Sequence, residues 1–223
     1  MKRVVVPELL DTDEGTAAEV QQTLRELRRV NRWFGGISTT RSMLQRVVER
    51  TAARELTMLD VAAGSGDVSL NAAAHVSGAR VQVTLADRAG THLPRNGTPE
   101  VVGDALALPF RDNSFDLVTC SLLVHHLEPA EIVRFVNDAL RVARLAVLLN
   151  DLRRSPVHLG LMYAGFAVLH GRITRYDGVA SVRRAYTAGE LRGILRQTHG
   201  SKVELENHFL YRMGIIVWKK NEI

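Results

Sequence analysis

The sequence predicts an α/β fold in which a mostly parallel sheet is covered by helices on both faces. Three observations lead to this prediction. Apolar, strand-like segments alternate with helix-like segments from Leu56 to Asn150. The first of these strands ends in the glycine-containing turn Ala62–Asp67. The chain closes on two β-rich runs, Lys202–Glu206 and Tyr211–Trp218, which are close enough in sequence to form an antiparallel hairpin.

The elements follow one another in a regular order. Apolar residues at intervals of three and four predict a helix over Thr16–Val30, and a second helical segment spans Thr39–Ala52. Five strands are then predicted, over Leu56–Ala62, Arg80–Ala86, Glu100–Gly103, Phe115–Cys120 and Leu145–Asn150. Further helices are predicted over Asp67–His75, over Pro129–Val142, and from a capping-box pattern at Thr187 to about His199.

Length and composition predict a single domain over residues 1–223, with a helical cap over 1–54 and a substrate lid over 151–186. No secretory pattern opens the chain, and the single cysteine fits a reducing compartment, so we expect a cytoplasmic protein. The longest apolar run, Leu159–Leu169, has about half the length that a membrane span needs.

The positive charge of the chain is concentrated in one segment. The net charge is +5, and residues 141–184 contain eight arginines against two acids. Such a segment can bind phosphates, bind an anionic small molecule or face solvent. Interleaved aromatic residues and lysine-rich runs, which nucleic-acid binding usually needs, are not evident, so we consider a nucleic-acid partner unlikely.

The glycine turn predicts a ligand site at the carboxyl ends of the strands. Gly64 and Gly66 allow a sharp turn and the close approach of a ligand to the backbone. A dinucleotide-binding turn would have a third glycine at position 69, where this chain has Ser69. Asp87 ends the second strand about twenty residues later, where a carboxylate can accept hydrogen bonds from ribose hydroxyls.

The stretch VVGDALALPFRDNSFDLVTCSLLVHHLEP, together with the turn and Asp87, resembles the class I S-adenosylmethionine-dependent methyltransferases, particularly the ubiquinone and menaquinone C-methyltransferases. The resemblance covers roughly Leu56–Leu149. It implies a seven-stranded Rossmann-like sheet with a terminal antiparallel hairpin, and S-adenosylmethionine as cofactor with S-adenosylhomocysteine as product. It departs from the family pattern at Ala89–Pro99, which contains two prolines and two glycines where the family has a helix.

The resemblance also implies which residues contact the cofactor. Asp60 and the Gly64–Gly66 turn would hold the methionine portion, Asp87 the ribose, and Asp104 with the backbone of Ala105 the adenine. The end of the fourth strand would line the methyl-transfer site. The full predicted set is Asp60, Ala62, Gly64, Gly66, Asp87, Arg88, Asp104, Ala105, Cys120 and Ser121.

His125, His126 and Asp151 are the predicted catalytic residues. An imidazole titrates near neutral pH and can accept the proton of a phenol, although one histidine could equally pack beneath the cofactor while the other faces solvent. Asp151 is predicted to contact the acceptor, or else to cap a helix from Leu152 onward. We assign no metal ligands.

The acceptor is predicted to be a small aromatic molecule. The stretches LLNDLRRS and RITRYDGVASVRRAYTAGEL resemble a bacterial subgroup of methyltransferases associated with quinone-like or polyketide-derived phenols. Leu159–Leu169 would cover the site as a lid, its Tyr163 and Phe166 forming an aromatic pocket with Tyr176 and Tyr186. Plain core packing or a homodimer contact is the alternative.

Three other functions stay open at this stage. A nucleic-acid or protein methyltransferase would use the arginine-rich segment, but the Asn/Asp-Pro-Pro-aromatic motif of amino-group methylation is absent after the fourth strand. A nicotinamide oxidoreductase would share the turn and Asp87 and lacks a role for GDALALPF. A non-catalytic binding module would keep the fold alone.

Overall fold

A seven-stranded sheet of order β3-β2-β1-β4-β5-β7-β6 forms the centre of the molecule. The computed structural model describes residues 1–11, 15–94 and 96–220. Strands β1 to β5 are parallel, and β7 lies antiparallel between β5 and β6, which confirms the predicted hairpin. The strands are β1 (Glu55–Val61), β2 (Arg80–Asp87), β3 (Glu100–Val102), β4 (Phe115–Ser121), β5 (Ala143–Leu152), β6 (Lys202–His208) and β7 (Arg212–Trp218).

The helices agree with the sequence pattern most closely where local capping signals are strong. The predicted bounds of Pro129–Val142 are those of the observed helix. The helices are α1 (Ala17–Trp33), α2 (Gly36–Thr51), α3 (Asp67–Ala74), α4 (Pro129–Val142), α5 (Pro156–Ala164), α6 (Arg172–Arg184) and α7 (Ala188–Leu195).

Three predicted helix bounds are wrong by three or four residues. The first helix ends at Trp33 rather than Val30. The second helix begins at Gly36 rather than Thr39, because the left-handed Gly35 (φ 84°) turns the chain directly into it. The last helix ends at Leu195 rather than near His199. The Thr198 hydroxyl donates to the Leu195 carbonyl at 2.7 Å, and the His199 amide donates to the Asn137 side chain at 2.8 Å, so neither group continues the helix.

The sheet separates two apolar layers. Helices α2 and α3 cover one face, where Met43, Leu44 and Val47 pack with residues of β1 and β2. Helices α4 and α7 cover the other face, where Phe135 and Leu191 are fully buried against β4 and β5. Because α2 belongs to a core layer, it is not free to act as part of the helical cap predicted over 1–54. Within that range, α1 and the segment before it are the parts that could cover a ligand site.

No helix connects β2 to β3 in the described residues 88–94 and 96–99, which form turns. The proline- and glycine-rich composition of this connection predicts that outcome, and its Arg95 lies outside the described residues. Among the helices of the described chain, none is long and apolar enough to cross a membrane.

An extended segment, Met1–Asp11, runs across α6 and the loop after β4, and we call it the strap. The Val4 amide donates to the Arg183 carbonyl at 3.1 Å. The amides of Leu9 and Leu10 donate to the Asp177 carboxylate at 2.7 and 3.1 Å. The strap is therefore attached to α6 through its backbone and also through side chains, since Arg3 donates to the Arg184 carbonyl at 2.8 Å and Glu8 accepts from the Ser181 hydroxyl at 2.7 Å.

Candidate active site

The strand order reverses between β1 and β4, and ligands of open parallel sheets bind at such a reversal, outside the carboxyl ends of the strands. The turn after β1 and the loop after β4 lie side by side there, since Val61 is in register with Cys120. Residues from β5 and β7 reach the same edge, because Leu152 pairs with Arg212.

The turn after β1 has a left-handed backbone at Ala62 (φ 55°), Gly64 (φ 51°) and Gly66 (φ 67°). A Cβ built on Gly64 meets no atom within 4 Å, whereas a Cβ on Gly66 would lie 2.7 Å from the buried Leu85 side chain. Gly66 is therefore required by packing within the protein. Gly64 borders open space, as expected of a backbone position that a ligand approaches.

Asp60 lies beneath this turn and is almost fully buried. Its Oδ1 atom has no hydrogen-bond partner among the described residues. Burial, with smaller contributions from the negative charges of Asp67 and Asp87 and against a hydrogen bond from Ser69, raises the pKa of Asp60 to about 7. A buried carboxylate in this state favours a cationic ligand group such as an ammonium.

Asp87, at the end of β2, connects the two sides of this crevice. One carboxylate oxygen accepts the Gly64 amide at 2.8 Å and the other accepts the Ala89 amide at 2.8 Å. An ionised carboxylate has about four acceptor positions, so Asp87 can still accept hydrogen bonds from ligand hydroxyls. It thus both fixes the glycine turn and offers acceptors beside it.

The other predicted cofactor residues differ in what they present. Asp104 is exposed and accepts the Leu106 amide at 2.8 Å, which fixes the turn that holds the half-buried Ala105. Arg88 is exposed and Ser121 half-buried at the site edge. Cys120 is different: its side chain is fully buried in the apolar layer under α4, where burial raises the thiol pKa. Only its backbone can face a ligand in this arrangement.

Helix α1 covers the glycine turn. The Arg28 side chain donates to Ser65 at 3.3 Å, and the Asn31 amide donates to Asp67 at 3.3 Å. Asn31 also accepts from the guanidinium of Arg212 at 3.0 Å. Arg212 is not among the residues predicted from the sequence, because it lies outside the arginine-rich segment 141–184. Only the pairing of β7 with β5 brings it to the site.

Arg212 is a buried cation at this edge. Its side chain is 1% exposed, and its Nη1 atom has no hydrogen-bond partner among the described residues. Burial lowers its pKa to about 10, while the charges of Asp151 and Asp67 oppose that shift. The group is therefore charged at neutral pH and retains donor capacity toward an anionic ligand.

The loop after β4 brings together His125, His126 and Asp151. The Asp151 carboxylate accepts the His125 amide at 2.9 Å and contacts His125 Nδ1 at 2.6 Å. Although burial lowers the pKa of His125, Asp151 and Glu8 raise it to about 9. Asp151 lies within β5, and α5 is capped by Ser155 instead, so the interpretation of Asp151 as a helix cap is wrong.

The predicted aromatic pocket is not assembled. Tyr186 is buried in the core layer and its hydroxyl donates to the Leu127 carbonyl at 2.7 Å, whereas Tyr176 and Tyr163 are about half exposed. Tyr163 and Phe166 do contact each other, with ring centroids 5.4 Å apart, within the range of about 4.5–7 Å that is usual for aromatic pairs. Helix α5 buries no residue completely, so the apolar run is a surface layer rather than core.

The arginines of 141–184 make contacts within the protein. Arg141 bonds to Asp112 and Asp138, and Arg144 to Asp116. Arg154 is buried and bonds to Glu190 at 2.6 Å. The remaining five contact ring faces, carbonyls, hydroxyls or carboxylates and are Arg153, Arg172, Arg175, Arg183 and Arg184. This segment therefore stabilises the fold at many points.

Comparison with known proteins identifies the type of enzyme. Residues 59–146 match a family model described as a methyltransferase domain. The match begins within β1, includes β2, β3 and β4, and ends within β5, so it contains the crevice between β1 and β4. The chain carries a methyltransferase domain and has the fold of S-adenosylmethionine-dependent methyltransferases. Among curated proteins, none is significantly similar to it in sequence.

Solved structures of methyltransferases share the fold. A SAM-dependent methyltransferase from Aquifex aeolicus is 16% identical, with a TM-score of 0.59 over 88% of this chain and 97% of that one. Magnesium protoporphyrin IX methyltransferase from Synechocystis, with bound SAH, is 16% identical, with a TM-score of 0.56 over 92% and 90%. The CurJ carbon methyltransferase is 11% identical, with a TM-score of 0.64 over 96% and 63%.

The crevice of this methyltransferase fits its cofactor, S-adenosylmethionine. The unpartnered Oδ1 of buried Asp60 suits the ammonium of a methionine moiety, and the open space at Gly64 accommodates a ligand against the backbone. Asp87 has acceptors to spare for hydroxyl groups. These roles of the individual residues are taken up below as a proposal.

Proposed function

We propose that this methyltransferase methylates a small aromatic acceptor that reacts as a phenolate or a related enolate. The observation that carries the proposal is Arg212, a buried guanidinium with an unpartnered Nη1 at the edge of the sheet where the cofactor crevice lies. A phenol of pKa ~10 is mostly neutral at pH 7, and a cation near its oxygen favours ionisation. The neighbours Asn31 and Asp67 connect Arg212 to the glycine turn.

The residues of the crevice divide the work of binding and positioning. Asp60, Gly64 and Asp87 would hold the methionine portion and the ribose, and Asp104 with Ala105 the adenine. When bound, S-adenosylmethionine supplies an electrophilic sulfonium methyl group, so the protein has mainly to align the acceptor and exclude water. Helix α1, which covers the turn through Arg28 and Asn31, contributes to excluding water.

The predicted catalytic histidines take different roles in this proposal. His125 holds a proton at neutral pH, because the Asp151 and Glu8 charges outweigh its burial, so the geometry does not favour it as the base. We assign His125 and Asp151 to positioning the loop after β4. The acceptor would then lose its proton to water while Arg212 stabilises the resulting anion, so that no strong side-chain base is needed. Whether oxygen or carbon is methylated depends on the orientation of the acceptor.

The similar structures give modest support for an aromatic acceptor. One is a magnesium protoporphyrin IX methyltransferase, and another is the pyocyanin biosynthetic protein PhzM, which is 16% identical with a TM-score of 0.54 over 79% of this chain and 54% of that one. The proposal for this chain rests on Arg212.

The test is transfer of an isotopically labelled methyl group to a panel of phenols and quinols whose pKa values span ~7 to ~10, with non-aromatic amines and carboxylates as the comparison set. We expect transfer to members of the aromatic set. Arg212→Met should reduce kcat about 10- to 100-fold for weakly acidic phenols and much less for phenols already ionised at pH 7.

Two controls keep this experiment interpretable. Arg212→Lys retains a charge and should lose less activity than Arg212→Met, and S-adenosylhomocysteine affinity should change little in either variant. Asp87→Ala should instead weaken S-adenosylhomocysteine binding by about 10-fold or more. Transfer to the non-aromatic set alone, or an equal loss in Arg212→Met across all phenol pKa values, would refute the proposal.

A further inference from the structure

Three potential metal ligands meet where the strap crosses the loop after β4. Glu8 Oε1 lies 3.5 Å from His125 Nε2 and 3.7 Å from His126 Nε2. The three ligand atoms all lie within 4.8 Å of one another. The first two separations are long for hydrogen bonds. They are close to the roughly 3.4 Å that separates two ligands of one tetrahedral ion with bonds of about 2.0–2.1 Å.

Each of the three side chains is also held by a hydrogen bond to a neighbouring residue, which for the two imidazoles is at Nδ1. His125 Nδ1 contacts Asp151 at 2.6 Å, and His126 Nδ1 contacts Asp11 at 2.8 Å. These carboxylates favour a proton on each Nδ1 and so leave Nε2 as the atom directed toward Glu8. The Ser181 hydroxyl donates to the same Glu8 oxygen at 2.7 Å. Carboxylate–histidine–metal arrangements of this kind orient the ligands of known zinc sites.

The surroundings of the cluster are strongly acidic. Glu8, Asp11 and Asp151 contact the two imidazoles, and Arg184 Nη1 approaches Asp11 at 3.7 Å. A divalent cation would neutralise this excess of negative charge.

We propose that Glu8, His125 and His126 bind one divalent transition-metal ion, for which Zn²⁺ is the best match. Two imidazoles and one carboxylate are an established zinc ligand set with a fourth position left for water. The Glu8 and His125 side chains are buried and that of His126 is 21% exposed, so His126 offers the side of entry. The proposal is independent of the acceptor proposed above.

Such an ion would have a defined mechanical effect. Glu8 belongs to the strap, whereas both histidines belong to the loop after β4, so one ion would join the two segments across the site. Metal binding that orders two segments contributes its binding free energy to the folded state. Methyl transfer would then depend on the ion through the placement of the strap, without the ion contacting the methyl group.

The test uses the purified full chain after chelator treatment, titrated with Zn²⁺ by calorimetry and with Co²⁺ as an absorbing probe. We expect one ion per chain with a Kd in the micromolar range or tighter, and visible Co²⁺ bands of a low-coordinate N/O site. Glu8→Gln and His126→Gln should each weaken binding at least 100-fold. Asp11→Asn, outside the ligand set, should weaken it about 10- to 100-fold.

Matched controls separate a built site from loss of structure. His199→Gln removes a surface histidine distant from the cluster and should leave Zn²⁺ affinity unchanged, and all variants should keep the circular dichroism of the parent. Zn²⁺ should also slow amide exchange of Leu9 and Leu10 in the parent and not in Glu8→Gln. Absence of stoichiometric binding below ~100 µM, or equal affinity in Glu8→Gln and the parent, overturns the proposal.

Discussion

The two glycines of the cofactor turn have separate reasons for being glycine. Gly66 supports α3 against Leu85, and Gly64 faces open space, although both have a left-handed backbone. Alanine at either position costs about 1 kcal/mol for that backbone. At position 66 the added methyl also overlaps a fully buried leucine, which adds about 1–3 kcal/mol.

We therefore predict opposite rankings for two properties. Gly66→Ala should lower the free energy of unfolding more than Gly64→Ala, measured by urea denaturation. Gly64→Ala should raise the Kd of S-adenosylhomocysteine about 10-fold or more, measured by calorimetry, because its Cβ projects where the ligand approaches. Gly97→Ala, at a left-handed position (φ 90°) with no atom within 4 Å of its Cβ, reports the backbone cost alone. Equal affinities for Gly64→Ala and Gly97→Ala would contradict the assignment.

Asp60 makes the stability of the ligand-free protein depend on pH. Its pKa is raised from 3.8 to about 7, so the folded state binds a proton that the unfolded state has already lost between those values. The unfolding free energy contributed by Asp60 is therefore greatest below pH ~4, falls as pH rises, and levels off above pH ~7.

The corresponding prediction compares the parent with Asp60→Asn. Without cofactor, the parent should lose stability relative to Asp60→Asn as pH rises from about 4 to 7, by on the order of a few kcal/mol. Urea denaturation at several pH values measures this difference. A difference that does not vary with pH would show that Asp60 is ionised in the folded state throughout this range.

Residues whose role depends on local sequence could be predicted, and residues whose role depends on tertiary contacts could not. Gly64 and Asp87 can be recognised by their spacing from a strand end. Glu8 and Arg212 do not, because the first acquires its role only when the strap reaches the loop after β4, and the second only when β7 inserts beside β5. No periodicity or motif in the sequence predicts the contact of the strap with the loop after β4 or the pairing of β7 with β5.

At the scale of elements, the start of α7 offers a direct test of a capping box. The Thr187 hydroxyl accepts the Glu190 amide at 3.3 Å, and the Glu190 carboxylate accepts the Thr187 amide at 2.8 Å. We predict that Thr187→Ala lowers the unfolding free energy by about 1 kcal/mol, or Tm by about 2–4 °C, while Thr187→Ser has little effect. Thermal denaturation checks this, and an equal loss in both variants would argue against the cap.

The bounds of a helix could be predicted where capping residues mark its ends. The burial of an element could not be predicted from its hydrophobic content. Pro129 and the paired Glu128 and Glu131 fix the start of α4 by themselves. The apolar run over Leu159–Leu169 has no such mark. Its composition predicts either a lid or core packing, and core packing is wrong, because Leu161 and Val168 are exposed and α5 packs against α6. The lid stays a prediction. Hydrophobic content alone does not predict which part of the molecule a helix packs against.

The distribution of charge leads to a prediction for the whole molecule. Since the arginines of 141–184 contact groups of the protein itself, few are preorganised to bind phosphates. We predict that labelled RNA and DNA oligonucleotides bind with Kd weaker than ~100 µM at 200 mM salt, measured by fluorescence anisotropy. A lysine-rich peptide serves as the positive control. Micromolar binding with a steep salt dependence would favour a nucleic-acid acceptor instead.

The strap has a consequence for how the chain reaches its folded state. Residues 4–10 are synthesised well before their partners Asp177 and Arg183, since Leu9 and Asp177 are 168 residues apart in the chain. Bringing together residues so far apart in the chain costs loop-closure entropy before the contacts themselves add stability. We therefore expect these contacts to form late. Meanwhile the Val4–Val6 run is left without its partners on the growing chain. The sheet can therefore assemble before the strap docks on α6 and the loop after β4.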